Sequence, residues 1–144
     1  MKHALFDSID LIVNPVPANT SASGELTTGL AIDRLGKRSA VAAFKFGALT
    51  GSPTASAVKL VVKSCDTSDG TYEALDEQHA VIGDAEQTLE ANGTLKFQLD
   101  LSGQKRYIKL VPKVALTGGT TPSAALAGSA LVLGDADELP VIPC

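Results

Sequence analysis

The sequence has few of the residues on which most catalytic and nucleic-acid-binding sites depend. Its 144 residues include no tryptophan, two histidines, two cysteines and only 4% aromatic residues. Aromatic rings supply the stacking surface for bases and sugars, so their scarcity argues against recognition by stacking. A single His with no second His or Cys nearby makes a poor zinc site, and no Ser stands in a nucleophile motif. We therefore expect no catalytic residue, metal or cofactor, and hence no enzyme.

The chain also lacks a strong charge of one sign and a long apolar run. Twelve Lys and Arg against sixteen Asp and Glu give a net charge of -4, and the basic residues are scattered along the sequence. Phosphate binding requires basic residues gathered together. No run reaches the roughly 18 to 20 apolar residues of a membrane helix. Asp7 and Asp10 stand where a signal peptide would have its apolar stretch. We expect that the chain binds neither nucleic acid nor a membrane. We also expect that it is made in a cytoplasm.

The length suits one domain with its own core. The two cysteines, Cys65 and Cys144, are too few and too far apart for a disulfide framework, and they match no paired zinc-ligand spacing. We expect both thiols to be free.

Alternating apolar and polar residues predict β-strands. In 58–64, Val58, Leu60 and Val62 share one face while Lys59 and Lys63 share the other. Residues 95–101 repeat the pattern, with Leu95, Phe97 and Leu99 on the apolar face. The segments 106–114, 41–49 and 129–134 are further candidates, and Pro112 within the first of these predicts a sheet edge or a bulge.

Turn residues separate these strands at fairly even intervals. Gly, Pro, Ser and Thr cluster at 50–56, 66–70, 101–104 and 117–123. Short strands broken in this way predict an all-β fold, an antiparallel β-sandwich. Residues 84–93 allow either a helix capped by Asp84 or a hairpin turning at Asn92-Gly93, and we prefer the hairpin.

The two ends of the chain differ in composition from the middle. We interpret residues 1–29 as an N-terminal arm or strand and loop, residues 30–134 as the sandwich and residues 135–144 as a tail. Residues 14–29 are rich in Pro, Ser, Thr and Gly and form either an extended arm or a long loop. Both ends carry apolar residues that are a liability when exposed, so they pack either on this domain's own surface or on a partner. The candidate partner-contact residues are Leu5, Phe6, Ile9, Leu11, Ile12, Val141 and Ile142.

The acidic segment "DTSDG" at 66–70 has two interpretations. A helix-flanked calcium loop needs Gly at its sixth position, whereas this segment has Gly at its fifth. A looser oxygen site from Asp66, Asp69 and Glu73 stays open, but Asp, Ser and Gly are equally the residues of a tight turn. We predict that the segment is a turn after a strand.

Three stretches resemble the small jelly-roll cement or decoration proteins of tailed bacteriophages. They are "ALFDSIDLIV", "KLVVKSCDTSDGTYEAL" and "FQLDLSGQKRYIKLVPKVALTGGTTPSAALAGSALVLG". The resemblance implies a jelly-roll-like sandwich and a homo-oligomer, a trimer in that family, which binds the major capsid protein. It also implies a place on the exterior of a virion assembled in the host cytoplasm, where the protein stabilises the shell. It carries over no contact residue.

Two other functions are kept as alternatives. The first is a carbohydrate- or ligand-binding β-sandwich with the turn from Asp66 to Glu73 at the lip of its site, although Tyr72 is the only aromatic residue there. The second is a hydrolase on a β scaffold, for which no pair of carboxylates stands out.

Overall fold

The computed structural model describes residues 9–26, 29–74 and 80–136, with side chains to Gly134. These residues form eleven β-strands: β1 (Asp10–Val13), β2 (Asn19–Ser21), β3 (Gly24–Glu25), β4 (Ile32–Asp33), β5 (Lys37–Thr50), β6 (Ala55–Cys65), β7 (Val81–Ile82), β8 (Glu86–Thr88), β9 (Thr94–Asp100), β10 (Tyr107–Thr117) and β11 (Ser123–Ala136). Within these ranges no helix has the length and apolar character needed to cross a membrane.

The strands form two antiparallel sheets that pack face to face. Sheet A has the order β1-β11-β5-β9-β7, with β2 also beside β11. Sheet B has the order β3-β10-β6-β8, with β4 also beside β10. The antiparallel β-sandwich predicted from the alternating segments is therefore confirmed.

Eight of the strands pair in a nested order. β1 pairs with β11, β3 with β10, β5 with β9, and β6 with β8. The chain thus behaves as a long hairpin rolled up so that alternate parts of it fall in opposite sheets, which is the strand order of a jelly roll. One consequence is that the first and last described strands are neighbours in sheet A.

The interior lies between the two sheets and is built by alternation along each strand. Val58, Leu60 and Val62 of β6 point inward and are at most 1% exposed. Phe97 and Leu99 of β9 face them from sheet A and are equally buried. The inward rows predicted from the sequence are therefore confirmed. Phe44 and Phe97 meet edge to face at 5.9 Å between ring centroids, a favourable aromatic geometry.

Residues 10–26, which composition assigned to an arm, take part in both sheets. β1 and β2 pair with β11, while β3 pairs with β10. Val16 and Leu26 are buried in the interior. The hydroxyl of Ser129 ties this segment to β11, since it accepts from the Val16 amide at 3.1 Å and donates to the Val16 carbonyl at 2.8 Å.

Residues 84–93 form neither of the two structures considered for them. β8 pairs with β6 in sheet B, whereas β9 pairs with β5 in sheet A, so the predicted hairpin between β8 and β9 is wrong. The turn is present, with Asn92 at a φ of 57° and the Gly93 amide bonded to the Glu90 carbonyl at 3.0 Å. Leu89 is buried just before the turn, so the chain crosses between the sheets at this point.

Pro112 lies inside β10, which has neighbours on both sides. Its carbonyl accepts from the Leu26 amide at 2.9 Å, on the side of β10 that faces β3 and β4. In an extended strand the nitrogen and carbonyl of one residue point to the same side. The missing N–H of Pro112 therefore faces away from β6, and the long pairing of β6 with β10 is left intact. The strand is not an edge strand.

Candidate functional site

A row of side chains crosses the outer face of sheet A from one edge to the other. Leu11 is opposite Val132, Val132 is opposite Val41, and Val41 is opposite Gln98, which is opposite Ile82. Three of these side chains stay largely exposed: Leu11 at 50%, Val41 at 46% and Ile82 at 54%. We call the row Leu11, Val132, Val41, Gln98 and Ile82 the apolar stripe.

Small and charged residues border the apolar stripe. On one side the next row is Val13, Ala130, Ala43 and Lys96, and on the other side it is Gly134, Ser39 and Asp100. Because these neighbours are mostly short, the face has two depressions of about 280 Å³ each. One is lined by Val41, Ile82, Gln98, Val132 and Gly134 among others, and the second by Ala43, Gly128 and Ala130 among others.

The contact residues predicted from the sequence fall in different environments. Leu11 belongs to the apolar stripe, whereas Ile12 points inward and packs against the core. Ile9 is half-buried, and its Cγ2 lies 3.8 Å from the position that a Cβ at Gly134 would occupy. Leu5, Phe6, Val141 and Ile142 lie outside the described residues.

The outer face of sheet B brings four lysines together. Lys59 is opposite Lys113 and Lys63 is opposite Lys109, with Val61 opposite Val111 between the two pairs. The expectation that basic residues are scattered is therefore wrong for the folded chain, because strand pairing gathers lysines that are distant in sequence. Glu25 lies among them, 3.5 Å from Lys63 Nζ and 3.7 Å from Lys113 Nζ, so the face is of mixed charge.

The acidic segment at 66–70 is a turn, as predicted. The Ser64 amide donates to the Glu73 carbonyl at 2.9 Å and the Glu73 amide donates back at 3.1 Å, which closes the reversal after β6. The Tyr72 hydroxyl donates to the Ser68 carbonyl at 2.8 Å, and Lys109 Nζ lies 4.3 Å from the ring centroid. In the part of the chain that the structure describes, no three His, Cys, Asp or Glu side chains form a group that could hold a metal ion.

Two carboxylates on the outer surfaces have a lowered pKa. Arg106 donates to Asp33 through Nε at 3.1 Å and Nη2 at 2.9 Å, and these hydrogen bonds lower the pKa of Asp33. The hydroxyl and amide of Ser102 donate to Asp100 and lower its pKa in the same way. Both groups therefore stay ionised at neutral pH.

Most of the apolar stripe was not identified from the sequence. Val41, Val132 and Ile82 belong to three different strands, and only Leu11 was named beforehand. A signal was present in 41–46, where Val41, Ala43 and Lys45 alternate with Ala42, Phe44 and Phe46. Because the two phenylalanines must be inside, the alternation puts Val41 outside.

The histidines and cysteines considered as candidate groups fall mostly outside the described part of the chain. His3, His79 and Cys144 lie outside the described residues. Cys65 is a free thiol, with its Sγ 3.7 Å from the Thr67 hydroxyl. No family model and no curated protein sequence matches the chain.

Proposed function

We propose that the chain is a non-enzymatic structural protein of a virus particle, a head decoration or cement protein of a tailed bacteriophage. In this proposal it binds the exterior of the capsid as a homo-oligomer and stabilises the shell. Support comes from the resemblance of three stretches of sequence and from the jelly-roll strand order, which that resemblance implies. Since one fold serves many functions, the contact surface has to be argued from its residues.

One observation carries the proposal: the two predicted contact segments are joined to the sandwich at the same end of sheet A. Asp10 is paired with Leu133, so residue 9 and residue 136 lie at the same end of sheet A. Residues 1–8, with Leu5 and Phe6, and residues 137–144, with Val141 and Ile142, are joined to the described strands there. Apolar contacts from both ends of the chain therefore start from one end of the sandwich, which suits attachment to a larger surface.

Shell stabilisation follows from mass action. A protein that binds only the assembled capsid stabilises that state by its binding free energy, and many attached copies add their effects. The partner is the major capsid protein in its assembled form, and the resemblance implies three copies at each attachment point. No catalytic group is required for this role.

Co-sedimentation tests the proposal. Shells assembled from the major capsid protein of the same source are mixed with the chain, and unassembled capsid protein serves as the comparison. We expect the chain to sediment with shells at a fixed ratio, to raise their melting temperature and to ignore unassembled subunits. Leu5→Asp with Phe6→Asp should abolish binding, while Thr120→Asp, at an exposed position in the turn between β10 and β11 at the opposite end of sheet A, should not. A chain that does not bind shells refutes the proposal.

The ligand-binding alternative rests on the turn that contains Tyr72. One face of the ring is already occupied by the Lys109 ammonium and the hydroxyl is bonded to the Ser68 carbonyl. Sugar-binding platforms need an open aromatic face, so this contact weakens the alternative. A rise in melting temperature with calcium, lost in Asp69→Ala, would favour it.

A further inference from the structure

The apolar stripe is an extended surface patch rather than a single exposed residue. It crosses five strands, and four strand spacings of about 4.8 Å make it about 19 Å long. Val13, in the next row, is a further apolar side chain with 67% exposure. Single exposed apolar residues are ordinary, whereas a row of four apolar side chains across a sheet, interrupted only by Gln98, forms a patch of the kind that marks an interaction surface.

Charges of opposite sign flank the stripe along β9. Lys96 is two residues before Gln98 and Asp100 is two residues after it, so all three point outward. Each charge lies about 7 Å from the stripe, on opposite sides of it. The sign of the charge on β9 therefore reverses across the stripe, whereas β5 carries a lysine on each side of it. Further out, Lys45 lies on the side of Lys96, and Lys37 lies beyond Asp100.

We propose that the outer face of sheet A binds the outer face of sheet A of a second copy of this chain, about a two-fold axis that runs along the apolar stripe. A rotation of 180° about this axis exchanges the two sides of the stripe. Lys96 of one copy then faces Asp100 of the other, and the reverse pair forms as well. The stripe meets itself, with two attractive pairs of Lys96 and Asp100 close to it. Further out, the same rotation places Lys45 of one copy opposite Lys37 of the other, and this like-charge contact opposes association.

The dimensions of the face set the expected strength of the contact. From Asp100 to Thr94 the face is about 20 Å long, which gives roughly 400 Å² per copy, about half of the ~800 Å² per partner in a stable complex. We therefore expect a weak and reversible dimer that dissociates on dilution.

This pairing does not depend on a role in capsids. A trimer needs a contact between two different patches, whereas a two-fold contact joins the same patch of two copies. The pairing is therefore a contact separate from the one that would build the trimer implied by the resemblance. A test in solution with the purified chain alone separates the two proposals.

The first test is sedimentation of the full chain between about 10 μM and about 1 mM. We expect the mass to rise from one copy toward two. Val41→Asp places four carboxylates, two of them new, close to the axis and should weaken association at least about tenfold. Leu35→Asp makes the same kind of change at an exposed residue outside sheet A and should leave association unchanged. A chain that stays monomeric, or one for which both variants behave alike, overturns the proposal.

The second test reverses the flanking charges. Lys96→Asp and Asp100→Lys should each weaken the dimer by about threefold to tenfold, and the double variant should recover most of the loss. Because Asp100 also bonds Ser102, the melting temperature of each variant is measured to exclude unfolding. A double variant that associates no better than the single variants overturns the proposed axis.

The third test locates the axis by cross-linking. In a Cys65→Ser, Cys144→Ser background, Val41→Cys lies near the axis and should form a disulfide dimer on oxidation. Thr94→Cys is on the same face but about 13 Å from the stripe along β9, so its two copies should lie too far apart. Cross-linking through Thr94→Cys and not through Val41→Cys overturns the two-fold arrangement.

Discussion

The outward valines on the two sheets differ in their exposure to solvent. On sheet B, Val61 and Val111 point outward yet are completely buried, and they are not part of the core cluster. On sheet A, Val41 also points outward and stays 46% exposed. The difference lies in the neighbours: lysines flank the valines of sheet B, whereas Ser39 and Ala43 flank Val41. We infer that an outward apolar residue on a sheet is shielded from solvent when the neighbouring side chains are long.

The lysines of sheet B repel one another, and nearby side chains reduce this repulsion. Like charges directly opposite on neighbouring strands repel, and both lysine pairs have this arrangement. The four lysines are half-buried, and we infer that their aliphatic stems cover the valine pair while the ammonium groups reach outward. Glu25 contacts two of the ammonium groups, and Tyr72 lies under that of Lys109. The outward valines of sheet B are thus buried within the chain itself, whereas Val41 on sheet A stays exposed.

The largest effect is expected for an inward residue of β9 in sheet A, compared with an outward residue of the same strand. Phe97→Ala removes a fully buried ring and should lower the free energy of unfolding by about 3 to 5 kcal/mol. Gln98→Ala, the next residue along β9, changes an outward side chain and should cost about 0.5 kcal/mol or less. Urea denaturation of both variants measures the difference. Similar losses would contradict the inward and outward assignment of β9.

A smaller effect is expected from comparing the outer valines. Val111→Thr puts a hydroxyl at a completely buried position without changing shape, and should cost about 1 to 3 kcal/mol. Val41→Thr makes the same change at an exposed position and should stay within about 0.5 kcal/mol. The midpoint of urea unfolding, measured at low protein concentration, gives both values. Equal costs would mean that the two faces do not differ in cover.

The role of the lysine stems is tested by separating length from charge. Lys63→Ala removes the stem and should cost about 1 kcal/mol through exposure of the valine pair. Lys63→Met keeps most of the length and removes one of two opposed charges, so we expect it to cost less than Lys63→Ala. Thermal unfolding compares the two variants with the parent. If Lys63→Met is the more destabilised variant, the charge of Lys63 rather than its stem accounts for its contribution to stability.

The smallest effect concerns the ion pair between Asp33 and Arg106. Its hydrogen bonds lower the pKa of Asp33 in the folded state, so this group contributes stability above its ordinary pKa of about 4. The contribution is lost as the pH falls through the lowered folded pKa, because the carboxylate then becomes protonated. The pair is exposed, so the effect should be less than about 1 kcal/mol.

Unfolding of the parent and of Asp33→Asn between pH 7 and about pH 2 measures this contribution. The parent should be the more stable protein at neutral pH, and the difference should shrink toward the acid limit. Salt should reduce the difference at neutral pH. A difference that is constant across the pH range would show that the titration of Asp33 is not its source.

The alternation in the long strands was enough to predict their place in the fold. In β9 the apolar residues stand at every second position, and in β6 and β10 the inward positions are mostly apolar while Val61 and Val111 are additional outward apolar residues. The turn after Cys65 was predicted because Asp, Ser and Gly favour a reversal whatever the rest of the chain does. Where the pattern was short, as in β1, β2 and β3, composition hid the strands because two to four residues show no period.

The crossing from β8 to β9 shows why the pairing was harder to predict. Asn92-Gly93 makes the expected turn, but a turn does not state whether the strands on its two sides share a sheet. That choice depends on β5 and β6, which occupy the neighbouring positions in sheets A and B. The apolar stripe has the same origin, since its members come from five strands and meet only when all five are in register.

The sequence by itself determined which side of each long strand faces the interior, because side-chain direction in a strand alternates with the local backbone. Only the tertiary structure decided which outward residues became neighbours. Leu11 and Val132 come from opposite ends of the chain, and the four lysines of sheet B come from two strands far apart in sequence. Such contacts depend on closing long loops and on the register of whole sheets, which no local pattern encodes.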